Sequence, residues 1–192
     1  MLVSIPSRRA YSALIGAVML LAAGPAFAKP WSVDAKSSAI RFSGDHAGTK
    51  FNGGFTAWTA QIEFDPAQPE AGSAAVMIDL ASARTGNKQY DATLPDGEWL
   101  ASKATPKAEF RAQSFTKTGA NAFLAKGALT IRGKSLPVEL PFNVDPAGKV
   151  GTLNAKLKID RTFFGIGATV DPKGEWVSKI IDVEITLTAT AS

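Results

Sequence analysis

The sequence predicts an all-β protein built as an antiparallel barrel or sandwich of about eight strands. Three observations carry this. Apolar and polar residues alternate with period two in one segment after another, which gives each strand one dry face and one wet face. Gly and Pro break these segments at short intervals. Long amphipathic helices and continuously apolar strands are both missing, and a parallel α/β sheet would need them.

The 192-residue chain opens with a different kind of segment. Arg8 and Arg9 precede an apolar run from Tyr11 to Ala23, broken by Gly24-Pro25 and followed by Ala26-Phe27-Ala28. A basic start, a run too short to span a bilayer comfortably and a small-x-small end describe a cleaved secretory signal over residues 1–28, and hence an exported protein. Residues 29–192 then form one domain. No Cys occurs anywhere, so an exported domain must be held by its core rather than by disulfides. The signal holds two of the basic residues and no acidic one, so its removal takes the net charge from +4 to +2. That charge is too small to argue for nucleic acid as a partner.

Trp31–Asp34 and Ala39–Ser43 read as short strands, with Ile40 and Phe42 on one face. Gly44, Gly48, Gly53 and Gly54 read as bends or bulges in a curved sheet. Trp58, Ala60, Ile62 and Phe64 alternate with polar residues, and Asp65-Pro66 opens a turn. Ser73–Leu80 carries Val76, Ile78 and Leu80 on one face. The alternation lapses from Ala81 to Lys107, where residues 88–93 suit one helical turn and Asp96 suits the cap of a short helix carrying Trp99 and Leu100. A connection this long is commonly functional or a lid.

Glu109–Phe115 resumes as a strand with Phe110, Ala112 and Ser114 facing one way. Ala122–Asp145 is the plainest element: a hairpin with Phe123, Ala125, Gly127, Leu129 and Ile131 on one face, a turn at Gly133-Lys134-Ser135, and Val138, Leu140, Phe142 and Val144 returning. Leu153, Ala155, Leu157 and Ile159 mark the next strand. Phe163-Phe164-Gly165-Ile166-Gly167 is an apolar loop, and Val177–Thr190 closes the chain with Ile181, Val183, Ile185 and Leu187 on one face.

Candidate functional residues are few. His46 is the single histidine, either at the mouth of the barrel facing a polar group or at a strand end bonded to backbone. One His without Cys falls short of the usual metal sets, so no metal is expected. No Gly-x-Ser-x-Gly elbow accompanies it, so no catalytic residue is assigned and the protein is expected not to be an enzyme. A small hydrolase or isomerase would have to depend on His46. Arg84 and Arg161 suit an anionic head group, or ion pairs with Asp91 and Asp160. Asn87 and Asp91 suit a head group or the cap of the short helix. Trp58 and Trp99 are candidates to gate the mouth.

Several stretches in order carry a family resemblance: Trp31-Ser32-Val33-Asp34, Ser37–Phe42, His46 with Gly54-Phe55, Ile62–Pro66, Thr85-Gly86-Asn87 with Asp91 and Leu94, Glu98-Trp99-Leu100, Pro106–Phe110, Gly127–Gly133 and Asp160–Gly167. Over its mature length the chain resembles the YceI family of periplasmic polyisoprenoid-binding proteins. The resemblance implies a lipocalin-like, eight-stranded antiparallel barrel with a short helical excursion at about residues 85–103. It implies a carrier that holds a long isoprenoid lipid, a polyprenyl phosphate or a quinone, in its lumen, with that lipid as ligand and no other cofactor. Phe42, Phe55, Ile62, Ile78, Phe110, Phe123, Leu129, Phe142, Leu157 and Phe164 are assigned to the tail. His46, Arg84, Asn87, Asp91 and Arg161 are assigned to the head group. Leu94–Leu100 departs from the common pattern and looks like the subgroup associated with membrane b-type cytochromes, which favours a quinone. The rival reading is a non-enzymatic accessory protein that docks on such a cytochrome with a side-chain-filled barrel. Monomer and homodimer both stay open.

Overall fold

The computed structural model describes residues 29–191. The expected export signal, residues 1–28, lies outside the described residues. The strands are β1 (Pro30–His46), β2 (Thr49–Phe55), β3 (Trp58–Glu63), β4 (Ser73–Asp79), β5 (Ala83–Arg84), β6 (Lys107–Lys117), β7 (Ala122–Ile131), β8 (Lys134–Ala147), β9 (Val150–Asp160) and β10 (Ile180–Ala191), with one helix, α1 (Lys88–Thr93). Single 3₁₀ turns occupy Pro69–Ala71, Leu80–Ser82 and Arg161–Phe164. All pairings are antiparallel. The order β10-β9-β8-β7-β6-β4-β3-β1 closes on itself through β1 and β10, giving the eight-stranded barrel. β2 and β5 lie outside that ring and extend the upper half of β1.

The long β1 serves three neighbours. Its first residues Pro30 and Trp31 face Glu63 and Ile62 of β3, its second half pairs with β2, and β10 runs along its other edge with an irregularity between Asp34 and Ala39. The two short strands expected at 31–34 and 39–43 are therefore one strand with a bulge, which is how a long strand turns a barrel corner. Thr49–Phe55, expected as bends, is a strand. At Gly53 a Cβ would lie 2.3 Å from Cζ of Phe42, so the missing side chain makes room for that ring.

The β7–β8 hairpin has the expected faces but a tighter turn. Ile131 pairs with Lys134, so the turn is Arg132-Gly133, both at positive φ (52° and 74°), as a two-residue hairpin turn requires. Lys134 and Ser135 already belong to the strand. In β6 the register shifts between Ala112 and Ser114, which turns Phe115 inward in place of the expected Ser114. The short helix expected after Asp96 does not form. Turns hold that stretch, with Trp99 N and Ala101 N both donating to Asp96 O, and Ala101 at φ 51° ends any helical path. The closing strand begins at Ile180, not Val177.

Two buried clusters pack toward the two ends of the barrel. At the lower end Phe64, Phe115, Phe123 and Phe142 pack ring on ring, with Phe64–Phe123 at 5.1 Å and 89° and Phe123–Phe142 stacked at 5.4 Å. The Trp31 indole donates to Phe64 O beside them. At the upper end Leu80, Ala108, Leu129, Ile131, Phe164 and Ile166 form a second cluster against Trp99 and Leu100. The outer wall carries directly opposed ion pairs, Lys126–Glu139, Lys156–Glu184 and Lys158–Asp182. These fix which face is wet more than they add stability, since exposed pairs are worth about 0–1 kcal/mol.

Candidate functional site

Residues of both clusters border an open space inside the barrel. Alternation points Phe42, Phe55, Ile62, Val76, Ile78, Phe110, Leu157 and Ile185 inward, yet each stays only partly buried. A side chain that faces inward and still meets a water-sized sphere must border empty space. That space is a cavity of about 520 Å³, and its wall is almost wholly aliphatic and aromatic. Register stacks the wall in layers. Val183 faces Phe42 on one side and Leu157 on the other, and Phe110 lies between Val76 and Leu129. A cavity of this size and character is what small-molecule sites have.

The mouth is assembled from the end of the β1–β2 hairpin, α1, the 94–105 connection and the 161–179 connection, which supply His46, Gln89, Tyr90, Thr93, Trp99, Val170 and Trp176 to the wall. Across it the Tyr90 hydroxyl and His46 Nδ1 share a hydrogen bond of 2.9 Å. The Tyr90 ring stands edge-on to His46 and to Phe51. The α1 helix that carries Tyr90 is fixed by two side chains. Asn87 accepts from Gln89 N and Tyr90 N at the N-cap. Asp91 accepts from the Thr85 hydroxyl and from the backbone N–H groups of Thr85 and Gly86, and the Thr85 hydroxyl bond is the first cause holding its carboxyl below the usual range.

Arg161 sits beneath the 168–179 loop with 2% of its side chain exposed. Its Nε donates to Ser178 O, Nη1 to Ile166 O, and Nη2 to Asp171 O, Val177 O and the Asp171 carboxylate at 2.6 Å. Its guanidinium lies 5.8 Å from the Trp99 ring. Asp171 in turn accepts from the N–H groups of Glu175, Trp176 and Val177. Burial pushes the Asp171 carboxyl up, but these three N–H groups and the Arg161 charge outweigh it and hold the carboxyl below its ordinary value. The pair is thus an internal clasp for the rim. On the other side Arg132 donates to the carbonyls of Gly97, Glu98, Trp99 and Gly165, and so ties the 94–105 connection to the 161–167 turn.

Of the ten residues expected to meet a tail, Phe42, Phe55, Ile62, Ile78, Phe110, Leu129, Phe142 and Leu157 line the cavity. Phe123 and Phe164 do not: Phe123 lies within the lower ring cluster and Phe164 within the upper one, each 2% exposed. Of the five expected at a head group, His46 and Arg161 are on the wall. Arg84 points elsewhere and donates to the carbonyls of Ala81 and Ala83, while Asn87 and Asp91 are spent on capping α1 and its approach. The expected pairs of Arg84 with Asp91 and of Arg161 with Asp160 are absent among the described residues. Asp160 caps its own 3₁₀ turn through Thr162 N, and Asp171 takes its place beside Arg161. Trp99 lines the cavity, whereas Trp58 borders a shallow outer hollow with Ala35 and Met77. Tyr90, Phe51, Trp176, Val170 and Asp171 are wall residues that the sequence reading missed. Phe51, Gly53 and Phe55 do share one face with period two, but the Gly residues obscured the pattern. Among the described residues no group of three or more His, Cys, Asp or Glu is placed to hold a metal ion.

Comparison with known proteins fits this geometry. The YceI-like domain model matches residues 31–189. The crystal structure of BcnA from Burkholderia cenocepacia superposes with a TM-score of 0.80 at 30% identity, covering 83% of this chain and all of that one. A YceI protein from Campylobacter jejuni superposes at 0.66 with 26% identity, covering 73% of this chain and 84% of that one. A polyisoprenoid binding domain from Saccharophagus degradans shares the fold at 0.64 and 15% identity, covering 86% and 99%. A curated relative from Azotobacter vinelandii, described as a UPF0312 protein, is 27% identical over 92% of this chain and 97% of its own length.

Proposed function

The chain belongs to the YceI-like family, and we propose that it is a periplasmic carrier that holds the tail of a long isoprenoid lipid in its channel, with no chemistry of its own. One observation carries the reading: the inward wall is half-exposed to an interior space bordered by Phe, Ile, Leu and Val. The polyisoprenoid-binding relative of the same fold adds support. A tail of about forty carbons, at about 0.3 kcal/mol per heavy atom, contributes about −12 kcal/mol, near nanomolar. Export rests on the Arg8–Ala28 pattern.

The head group we favour is neutral, a quinone or its precursor rather than a polyprenyl phosphate. Arg161 is the one cationic side chain on the channel wall among the described residues, and its donors are already engaged by four carbonyls and the Asp171 carboxylate. A phosphate drawn inside the mouth would meet no free cation there, and burying it unpaired is costly. His46, Tyr90, Gln89 and Thr93 offer hydrogen bonds suited to a carbonyl or hydroxyl. The rival accessory reading required a side-chain-filled barrel, and the open channel argues against that form of it.

The test is mass spectrometry of lipid extracted from protein purified from its native host. A neutral isoprenoid is expected. Repeated preparations empty of isoprenoid would refute the carrier reading, and a bound polyprenyl phosphate would refute the neutral head alone.

A further inference from the structure

The described residues hold six exposed large apolar side chains, and four of them, Phe163, Val170, Trp176 and Ile180, fall in one stretch of eighteen residues. That stretch forms one side of the channel mouth. Val170 and Trp176 belong to both surfaces, lining the cavity while 55% and 61% exposed to solvent. The apolar interior therefore runs without a polar break onto the outside. The segment is not a loose loop. The Arg161–Asp171 clasp fixes its base, Ala47 N donates to Trp176 O, and Ser178 N donates to Asp45 O. An apolar face held open by buried polar bonds is a built feature, not the residue of poor packing.

We infer that this rim docks the mouth onto a bilayer surface bearing anionic head groups. Two further observations select a bilayer over a protein. The exposed rim lysines Lys88, Lys134, Lys173 and Lys179 make no ion pair among the described residues, so their charges are available to anionic head groups. Lys134 Nζ lies over Gly165, next to the turn that carries Phe163. The acidic groups of the same rim, Asp45, Asp96, Glu98 and Glu175, leave these lysines unneutralised by contact. A Trp with aliphatic side chains, set among lysines, is the composition of a membrane-interface anchor. Docking there would let a lipid pass between bilayer and channel without its tail crossing water, so the inference rests on the carrier reading while making a separate claim.

The test expresses the full-length sequence and purifies the protein in the form the cell accumulates. Co-sedimentation is measured with vesicles of phosphatidylglycerol and phosphatidylethanolamine, and with vesicles of phosphatidylcholine. Wild type is expected to bind the anionic vesicles more tightly. The Phe163→Ser/Val170→Ser/Trp176→Ser variant should lose about tenfold or more on both. The Lys88→Gln/Lys134→Gln/Lys173→Gln/Lys179→Gln variant should lose preference for the anionic vesicles, an effect that salt reproduces in wild type. Circular dichroism and uptake of a fifteen-carbon isoprenoid alcohol, held below its solubility limit in vesicle-free buffer, report folding and the channel. Uptake without vesicle binding would overturn the docking inference and leave the carrier reading standing. Vesicle binding without uptake would do the reverse. Equal binding by wild type and the triple variant, or a wild-type dimer abolished by the triple variant, would also overturn the docking inference.

Discussion

Replacing Arg161 with Met tests whether the rim depends on its internal clasp. The substitution keeps a long apolar stem but removes every donor. Four carbonyls, those of Ile166, Asp171, Val177 and Ser178, lose a partner, and the Asp171 carboxylate, 5% exposed, loses its counter-charge. Breaking a buried pair by deleting one partner costs about 3–5 kcal/mol, because the remaining charge stays buried. For a domain of this size each kcal/mol shifts the melting temperature by about 2–4 °C, so a fall of about 6–20 °C is expected. The assay is thermal and urea unfolding followed by circular dichroism, with hydrogen exchange read at residues 175–178. Those amides should lose protection first, since Asp171 holds three of the N–H groups there. Arg161→Lys should recover little, because one ammonium cannot span the same fan of acceptors. A loss below about 1 kcal/mol for Arg161→Met, with exchange at 175–178 unchanged, would refute the reasoning.

The same clasp sets an acid response. Asp171 titrates below its ordinary value of 3.8 in the folded state, so its contribution is complete above that value and is lost as pH falls through the lower folded one. Acid titration of rim exchange should show the loss below pH 3.8 in wild type and not in Asp171→Asn. Leu157→Trp places an indole in mid-channel opposite Val183; bound lipid should fall to background by mass spectrometry while the melting temperature moves by less than about 3 °C. Tyr90→Phe deletes the bond to His46 across the mouth, worth about 1 kcal/mol, so stopped-flow release of a fluorescent isoprenoid should quicken about fivefold. Gly127→Ala would set a Cβ 2.2 Å from Arg111 O, and the urea midpoint should drop by an amount worth about 1–3 kcal/mol or more at unchanged m.

The residues that could be read correctly in the sequence are those whose environment is set by their own strand. Leu129, Phe142 and Leu157 face inward because period two makes them, and no distant contact alters that. Phe115 failed the rule because a bulge in β6 reversed the faces, and a bulge is set by the fit of neighbouring strands. Thr49–Phe55 was missed because Gly53 and Gly54 look like breaks, although Gly53 is there for the Phe42 ring of the adjacent strand. Phe123 has the right face but is packed among the lower rings, and Phe164 lies in a 3₁₀ turn buried in the upper cluster, where strand alternation says nothing. Arg161 was singled out with the wrong partner. Asp171 lies ten residues further on, in a loop whose path no local pattern determines.

Where the four phenylalanine rings packed at the lower end stop a chain-shaped guest, they dictate its order of events. Whatever goes in first comes out last. A molecule that enters tail-leading must present its other end to every acceptor until it is nearly free, so delivery is a withdrawal from the same door and never a passage through. Loading and unloading then compete for a single gate, and direction can come only from what waits outside it.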